Sequence, residues 1–396
     1  MNTIVLKYGG SSVADIDKIN SVADRIIEKK NIYKNVVTVV SAMGKSTDTL
    51  LDMANQLSEN PIKRELDVLL STGEQTTISL LTIAINAKGY KAISLTGQQA
   101  GFLTWGPHTK NRIEDVDTTR VEKYLKEGYI VIVAGFQGVN EIGDITTLGR
   151  GGSDTSAVAL AAKLKCPCEI YTDVEGIFTV DPRIHKEAKK LDNLSYEETM
   201  EMAYLGAGII EPRSVEMAWK YGVKLYIGLN TGKVLGTYIT EEGDKLEKNV
   251  INNISIIDDI LLVNIYLDNN SRYTTSEIFA DLANNNVNVD VISQNIIKND
   301  KKSVSFTTTL DNKTVIKEIF KDNDIEYNFI DNVIKLSIIG NAMRNQPGVA
   351  SQVFSTFIDN NIDFYQVSTS EISISYIIDS KYKNKVVKIL AKEFNL

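Results

Sequence analysis

The chain reads as an α/β protein: a sandwich around a mostly parallel sheet, followed by two smaller β-α-β-β-α-β units. Three observations carry that expectation. Short apolar runs of strand length alternate with longer amphipathic segments, the order that builds a parallel sheet with helices on its faces. Of 25 glycines, 23 fall in residues 1–243, and only Gly340 and Gly348 follow. The remainder repeats itself: the segment from Ser276 to Val287 aligns with that from Ser351 to Ile362 at an offset of 75.

The elements follow in order. Ile4–Leu6, Val36–Val40, Ala92–Leu95, Ile130–Ala134, Cys168–Thr172 and Lys224–Leu229 have the continuous apolar character of buried strands. Val13–Lys30 places Val13, Ile16, Ile19, Ala23, Ile26 and Ile27 on one helical face. Further helices are expected at Lys63–Ala87, Thr118–Glu127, Ser153–Leu164 and Ser195–Ala203. Thr240–Lys248 is polar and charged and reads as a linker. Within the repeat, Phe279 matches Phe354, Asn285 and Asn286 match Asn360 and Asn361, and Ser293 matches Ser368. Each copy has a strand before it (Leu261–Leu267, Val333–Ile339) and one after it (Val289–Ser293, Phe364–Ser368), which describes a duplication rather than a solenoid.

Composition excludes several classes of function. With 43 Lys+Arg against 51 Asp+Glu, the net charge of −8 argues against nucleic acid as a partner. No uncharged apolar stretch reaches membrane length, and the N-terminus enters a strand without leader features, so a cytoplasmic protein without a membrane partner is expected. Cys166 and Cys168, with no histidine near them, make neither a disulfide framework nor a zinc site. Histidine is scarce (His108 and His185), which leaves almost nothing for a catalytic scheme built on several of them.

The glycines cluster where strands hand over to helices. In Lys7-Tyr-Gly-Gly-Ser-Ser-Val13, Gly9 and Gly10 let backbone N–H groups approach an anion, Ser11 and Ser12 can cap the following helix, and Lys7 supplies charge. The same strand–Gly-Gly–helix pattern also serves as a plain tight turn. A second loop holds Ser41, Lys45, Ser46 and Thr47. A third, from Thr146 to Ala157, holds three glycines, Arg150 with its planar fork for a carboxylate or phosphate, and Ser153 and Asp154 at a helix start. Asp154 can orient a lysine or a metal, or simply sit in a first helical turn. None of these is a Walker A loop. Three such loops together point to an anion site.

These motifs resemble, in order along the chain, those of the aspartokinases in the amino-acid kinase superfamily. The resemblance rests on Lys7-Tyr-Gly-Gly-Ser-Ser-Val13, Ser41-Ala-Met-Gly-Lys-Ser-Thr47, Leu70-Ser-Thr-Gly-Glu-Gln75, Gly135-Phe-Gln-Gly138, Gly149-Arg-Gly-Gly-Ser-Asp154 and the run from Tyr171 to Arg183. The C-terminal repeat is similar to the family's paired ACT domains. The implied architecture is an amino-acid kinase αβα sandwich over 1–245, a first ACT unit over 260–328, and a second formed by 250–259 and 329–396.

The resemblance implies phosphoryl transfer from ATP to the side-chain carboxylate of L-aspartate, giving 4-phospho-L-aspartate, the first step toward lysine, threonine and methionine. Such a carboxylate is ionised at neutral pH, so no general base is needed, in keeping with the shortage of histidine. What the reaction needs is positive charge around the transferring group, for which Lys7 and Mg2+ are the expected sources. By similarity, Lys7 and Asp154 are the catalytic pair, with Asp154 holding the lysine. Gly9, Gly10, Ser11 and Ser41 line the phosphates; Thr172, Asp173, Phe178, Arg183 and Gly208 occupy ATP positions. Thr47, Glu74, Arg150 and Ser153 hold aspartate. No dedicated protein metal site is expected. Gly208 stands where the family has a lysine, and Glu211 where it has a histidine, with Lys220 or Lys224 as candidate compensating cations. In the first ACT unit, Thr274, Thr275, Asn288, Val289 and Asp290 are the expected effector residues, for lysine with or without threonine. A homodimer or homotetramer through these domains is expected. The rival readings are a same-fold kinase for another carboxylate and an amino-acid-binding regulator whose kinase site has decayed.

Overall fold

The computed structural model describes residues 3–241, 250–267, 273–297, 301–323, 325–340 and 348–396. They form two compact units. One comprises Met1–Phe178, Lys190–Tyr204 and Gly208–Glu247, the other Thr179–Lys189, Leu205–Ala207 and Lys248–Leu396.

In chain order the first unit holds β1 (Thr3–Tyr8), α1 (Ile16–Ile32), β2 (Asn35–Val40), α2 (Ser46–Leu57), α3 (Lys63–Ala87), β3 (Ala92–Leu95), β4 (Phe102–Trp105), β5 (Arg112–Val116), α4 (Thr119–Lys126), β6 (Ile130–Ala134), β7 (Gln137–Val139) and β8 (Ile145–Thr147). It continues with α5 (Gly152–Leu164), β9 (Cys168–Thr172), β10 (Asn193–Ser195), α6 (Tyr196–Tyr204), α7 (Pro212–Tyr221), β11 (Leu225–Leu229) and β12 (Thr237–Thr240). Eight strands form one sheet in the order β10-β12-β11-β9-β1-β2-β6-β3. All neighbours are parallel except β11 and β12. Ile4, Leu6, Tyr8, Val36 and Val40 turn one face toward Ile19, Val22 and Ile26 of α1 and Ile78, Leu81 and Ile85 of α3. These helix positions recur every three or four residues, which is why the two helices lie on the sheet. On the other face α5 packs on β1, β2 and β9.

The expected buried strands and long helices are present, and α3 spans the expected residues. It is the one described helix long and apolar enough to cross a membrane, and its Ile78, Leu81 and Ile85 are buried in this core. The start of α1 differs from the expectation. A short turn of 3₁₀ helix, Gly10–Val13, intervenes, and the cap is Asp15, whose carboxylate accepts from Lys18 N–H at 2.8 Å. The sequence reading also does not anticipate a four-stranded sheet, β5-β4-β7-β8. Its strands have three to five residues of mixed polarity, too short for an apolar run.

The second unit contains β13 (Asn253–Leu267), α8 (Thr275–Asn284), β14 (Asp290–Ile297), β15 (Lys301–Thr309), α9 (Lys313–Asp322), β16 (Glu326–Ile339), α10 (Val349–Asp359), β17 (Phe364–Thr369), β18 (Ser373–Asp379) and α11 (Lys383–Glu393). Its antiparallel sheet runs β14-β15-β13-β16-β18-β17. The two long central strands each serve both halves. Asn253–Ile257 pairs with the end of β16 and sends Ile254 into a core with α10 and α11, whereas Leu261, Val263 and Ile265 enter a separate core with α8 and α9. Between them the register slips, and Asp259 and Asn332 take left-handed φ values of 55° and 63°. Thr179–Lys189 adds Val180 to the core with α10 and α11, with Ile254 N–H donated to Thr179 C=O at 2.9 Å.

Candidate active site

In a parallel sheet the loops that leave the C-terminal strand ends gather on one edge. Here they are bonded to one another. Gly9 N–H donates to Tyr171 C=O at 3.2 Å, Ser41 N–H to Tyr8 C=O at 3.2 Å, Gly44 N–H to Gly10 C=O at 3.0 Å, and Gly135 N–H to Val40 C=O at 3.0 Å. Gly10 is required by this closeness: a Cβ there would lie 2.7 Å from Ala42 C=O. A Cβ at Gly9 would lie in ordinary contact with the Lys7 ammonium, at 3.5 Å. Ser12 does not cap α1; its hydroxyl accepts from Asn230 Nδ2 at 3.0 Å, which ties the loop after β11 to the first glycine loop.

Lys7 and Asp154 meet at this edge, with Nζ 2.6 Å from the carboxylate and both side chains nearly buried. Asp154 owes its place to the first turn of α5, and Lys7 to the end of β1. Ser153 is buried beside Gly135, where a Cβ would lie 2.9 Å from its Oγ. Glu74 is buried on α3 and accepts Ala42 N–H at 3.1 Å, joining that helix to the Ser41–Lys45 loop. Its second oxygen, Oε2, has no partner. Burial pushes the Glu74 carboxyl up to about 7, against two backbone hydrogen bonds that lower it. An unpartnered buried carboxylate is a natural receptor for an ammonium group.

The remaining expected residues are placed less uniformly. Thr47 lies at the start of α2, half-buried, and Arg150 is exposed on the loop between β8 and α5. Thr172 ends β9, and its hydroxyl donates to Asp173 at 3.0 Å. Phe178 forms a backbone bridge with Lys190. Arg183 belongs to the second unit, where its guanidinium forks onto Asp181 at 2.8–3.1 Å. Gly208 has φ 65°, a conformation that favours glycine over the family's lysine. Glu211 lies against Gly151, whose Cβ position is 2.6 Å from Glu211 Oε2. Burial, and then Asp154, raise the Glu211 carboxyl, while Arg213 and Arg150 oppose them. The cation beside Glu211 is thus Arg213, 3.6 Å away and also donating to Leu148 C=O at 2.7 Å. Lys220 instead stacks over Tyr221. Sequence reasoning misses Arg213 and Asn230; a cation two positions after an unexpected glutamate is the only signal for the first.

In the second unit Thr274 caps α8 in a reciprocal pair with Glu277, and the Thr275 hydroxyl donates to Gln294 at 3.2 Å. The Asn288 carbonyl accepts from Thr308, and Val289 packs against the core with α8 and α9. Asp290 is ion-paired with Lys335, whose side chain is buried. Gln366 of β17 donates to Val291 C=O at 3.1 Å, so the two halves of this unit meet beside that pair. The matching loop in the second half, 341–347, lies outside the described residues.

The amino acid kinase family matches residues 2–228, and the ACT domain family matches residues 336–394. The chain is similar to the aspartokinase of Geobacillus stearothermophilus, 46% identical over 100% of this chain and 98% of that one. Its fold is shared with Escherichia coli aspartokinase III solved with aspartate and ADP, at a TM-score of 0.82 and 23% identity, covering 99% and 100% of the two chains. The same enzyme solved with lysine and aspartate gives 0.76 and 22%, covering 100% of both. With a full-length relative at this identity and a kinase family matching more than half of its residues, the chain belongs to the aspartokinases and is an aspartate kinase.

Proposed function

We propose that the enzyme moves the γ-phosphoryl group of ATP to the side-chain carboxylate of L-aspartate, making 4-phospho-L-aspartate for lysine, threonine and methionine biosynthesis in the cytoplasm. The observation that carries this reading is the nearly buried Lys7–Asp154 pair among loops bonded to one another. Lys7 would neutralise charge on the transferring group, and Asp154 would hold it there. Gly9, Gly10, Ser11 and Ser41 would receive the phosphates, and Thr172, Asp173, Phe178 and Gly208 the rest of ATP. Glu74 would take the ammonium of aspartate, Arg150 a carboxylate, with Thr47 and Ser153 beside them. Two anions about 4 Å apart repel by roughly 4 kcal/mol at an effective dielectric of 20, which is the charge problem Lys7 answers. Among the described residues no three ligating side chains gather to hold a metal ion. Mg2+, which needs few protein ligands, fits such a site when it comes with the phosphates, and Asp154 is the carboxylate present at their loop. It would supply charge neutralisation.

We further propose feedback control by lysine, with or without threonine, at Thr274, Thr275, Asn288, Val289 and Asp290. The half-exposed carboxylate of Asp290 supports that reading. A homo-oligomer is supported by the exposed apolar side chains Ile292, Tyr365 and Val367 on the end strands β14 and β17. ATP-dependent hydroxamate formation across a panel of amino acids tests the assignment. Activity is expected with aspartate, and a loss of ~100- to 1,000-fold in kcat in Lys7→Ala. Equal activity in the variant overturns the role of Lys7, and absence of any lysine or threonine effect at millimolar concentration overturns the regulation.

A further inference from the structure

Among the described residues the buried charged side chains are Lys7, Asp67, Glu74, Asp154, Glu198 and Lys335. A charge stays buried only where its surroundings compensate it. Lys7, Glu74 and Asp154 belong to the active site and Lys335 to the sensor. Glu198 serves the start of its own helix, accepting from Ser195 N–H at 3.0 Å and Ser195 Oγ at 2.8 Å. Asp67 has no such local duty. It is fully buried on α3, and its donors come from 41 to 80 positions away in sequence. They are Thr147 Oγ1 at 2.5 Å, His108 Nδ1 at 2.6 Å, and Thr109 N–H at 3.0 and 3.2 Å from the two oxygens.

These donors converge at the root of the loop that carries Arg150. Thr147 is the last residue of β8, and its carbonyl accepts Asn111 N–H at 3.0 Å. The strand end is therefore held both to α3 and to the turn over residues 106–111. Thr109 has φ 71°, in the left-handed region that a β-branched residue rarely enters. Such a conformation persists where the surroundings over-determine it, and those places cluster at functional sites. The Thr109 N–H is fixed by Asp67, and Gly149, at φ 76°, approaches so closely that a Cβ would lie 3.1 Å from Thr109 C=O. Asp67 thus clamps the segments on either side of the step from Thr147 to Arg150.

We propose that Asp67 is a positioning residue for the amino-acid substrate: through Thr147, His108 and Thr109 it fixes the loop from which Arg150 reaches the substrate's carboxylate. This rests on the substrate role proposed above for Arg150. Helix α3 then carries two carboxylates with divided work. Glu74 faces the ammonium end of aspartate, and Asp67, two helical turns earlier, fixes what faces its carboxylate.

Steady-state kinetics of the full-length enzyme separate the cases. Asp67→Asn keeps the shape and removes the charge. It is expected to raise KM for aspartate ~10- to 100-fold while KM for ATP stays within about twofold, because misplacement of a binding group by an ångström costs about that much. Adding Thr109→Gly, which accepts a left-handed φ without strain, is expected to recover part of the loss. Thr147→Val and His108→Ala each remove one donor and should give smaller increases, with Thr147→Ser near wild type. An unchanged KM for aspartate in Asp67→Asn, or in both single-donor variants if Asp67→Asn does not fold, overturns the proposal. So does an equal rise in both KM values. Arg150→Met is run beside them: if it leaves KM for aspartate unchanged, the substrate reading of Arg150 fails. If it raises that KM and the Asp67 set does not, the positioning role alone fails.

Discussion

Among the described residues each unit buries one lysine against an aspartate, and the two pairs differ in what surrounds the carboxylate. At Lys7–Asp154 both side chains are shielded, 11% and 12% exposed. At Lys335–Asp290 the lysine is 4% exposed and the aspartate 55%. Removing one partner of a shielded pair strands a charge away from water, at about 3–5 kcal/mol. A pair with a wet carboxylate tolerates the exchange, since water or another amine can take the vacant place. The first arrangement suits a cation that must not move while a phosphoryl group passes. The second suits a contact that a ligand can contest.

The comparison breaks most readily at Lys7. If Lys7→Met, whose chain fills much of the same space, retains kcat within about tenfold, the shielded pair is structural rather than catalytic. A loss of ~100- to 1,000-fold is expected. Glu74 sharpens the contrast because it is shielded without any cation. Its carboxyl is pushed up to about 7 from an ordinary 4.5, so the folded state holds a proton that the unfolded chain has released between those values. Stability should therefore fall as pH rises from 4.5 through 7, by ~3 kcal/mol from this group. Glu74→Gln should remove that dependence, raise Tm at pH 8, and raise KM for aspartate ~10- to 100-fold. In the wild type the same titration should raise KM for aspartate as pH drops below 7, because a protonated Glu74 no longer attracts an ammonium. Thermal melts and KM measured across pH 5–9 check both halves of this expectation.

Smaller effects are expected at the exposed end of the comparison. Lys335→Met frees Asp290 from its internal ammonium, and the half-inhibitory concentration of the amino-acid effector should fall by roughly fivefold, the equivalent of ~1 kcal/mol. An unchanged or higher value would show that Lys335 does not contest the site. Glu211→Gln removes a negative charge near Arg150 and Asp154 and should lower KM for ATP about twofold. A rise would mean that the glutamate itself supports the nucleotide.

Where the sequence was legible, one rule was enough to read it. Strands such as Ile130–Ala134 are apolar throughout because both faces are covered, and α3 shows its face through Leu70, Ile78, Leu81 and Ile85. The glycine loops mark places of close backbone approach, and at Gly10 that approach is to Ala42 C=O. The sheet β5-β4-β7-β8 was not legible, since strands of three to five residues of mixed polarity carry no period. Nor was the clamp around Asp67: its donors are brought together by tertiary structure alone, and a carboxylate seven positions before Glu74 on one helix face was the only trace. The cap at Asp15 rather than Ser11 or Ser12 was hidden by one extra turn of 3₁₀ helix, which no propensity distinguishes from the helix that follows.

The continuous strands β13 and β16 give the repeat a history that its alignment conceals. Two copies of a unit laid end to end would be separable, each with its own four strands. Here the first five residues of β13 pair in the second half, and the opening residues of β16 pair in the first. No single cut of the chain frees either half with its sheet complete, because any fragment leaves one strand behind and exposes backbone that must pair. The two halves of the repeat therefore share one sheet, and a substitution in either copy is expected to be felt by both.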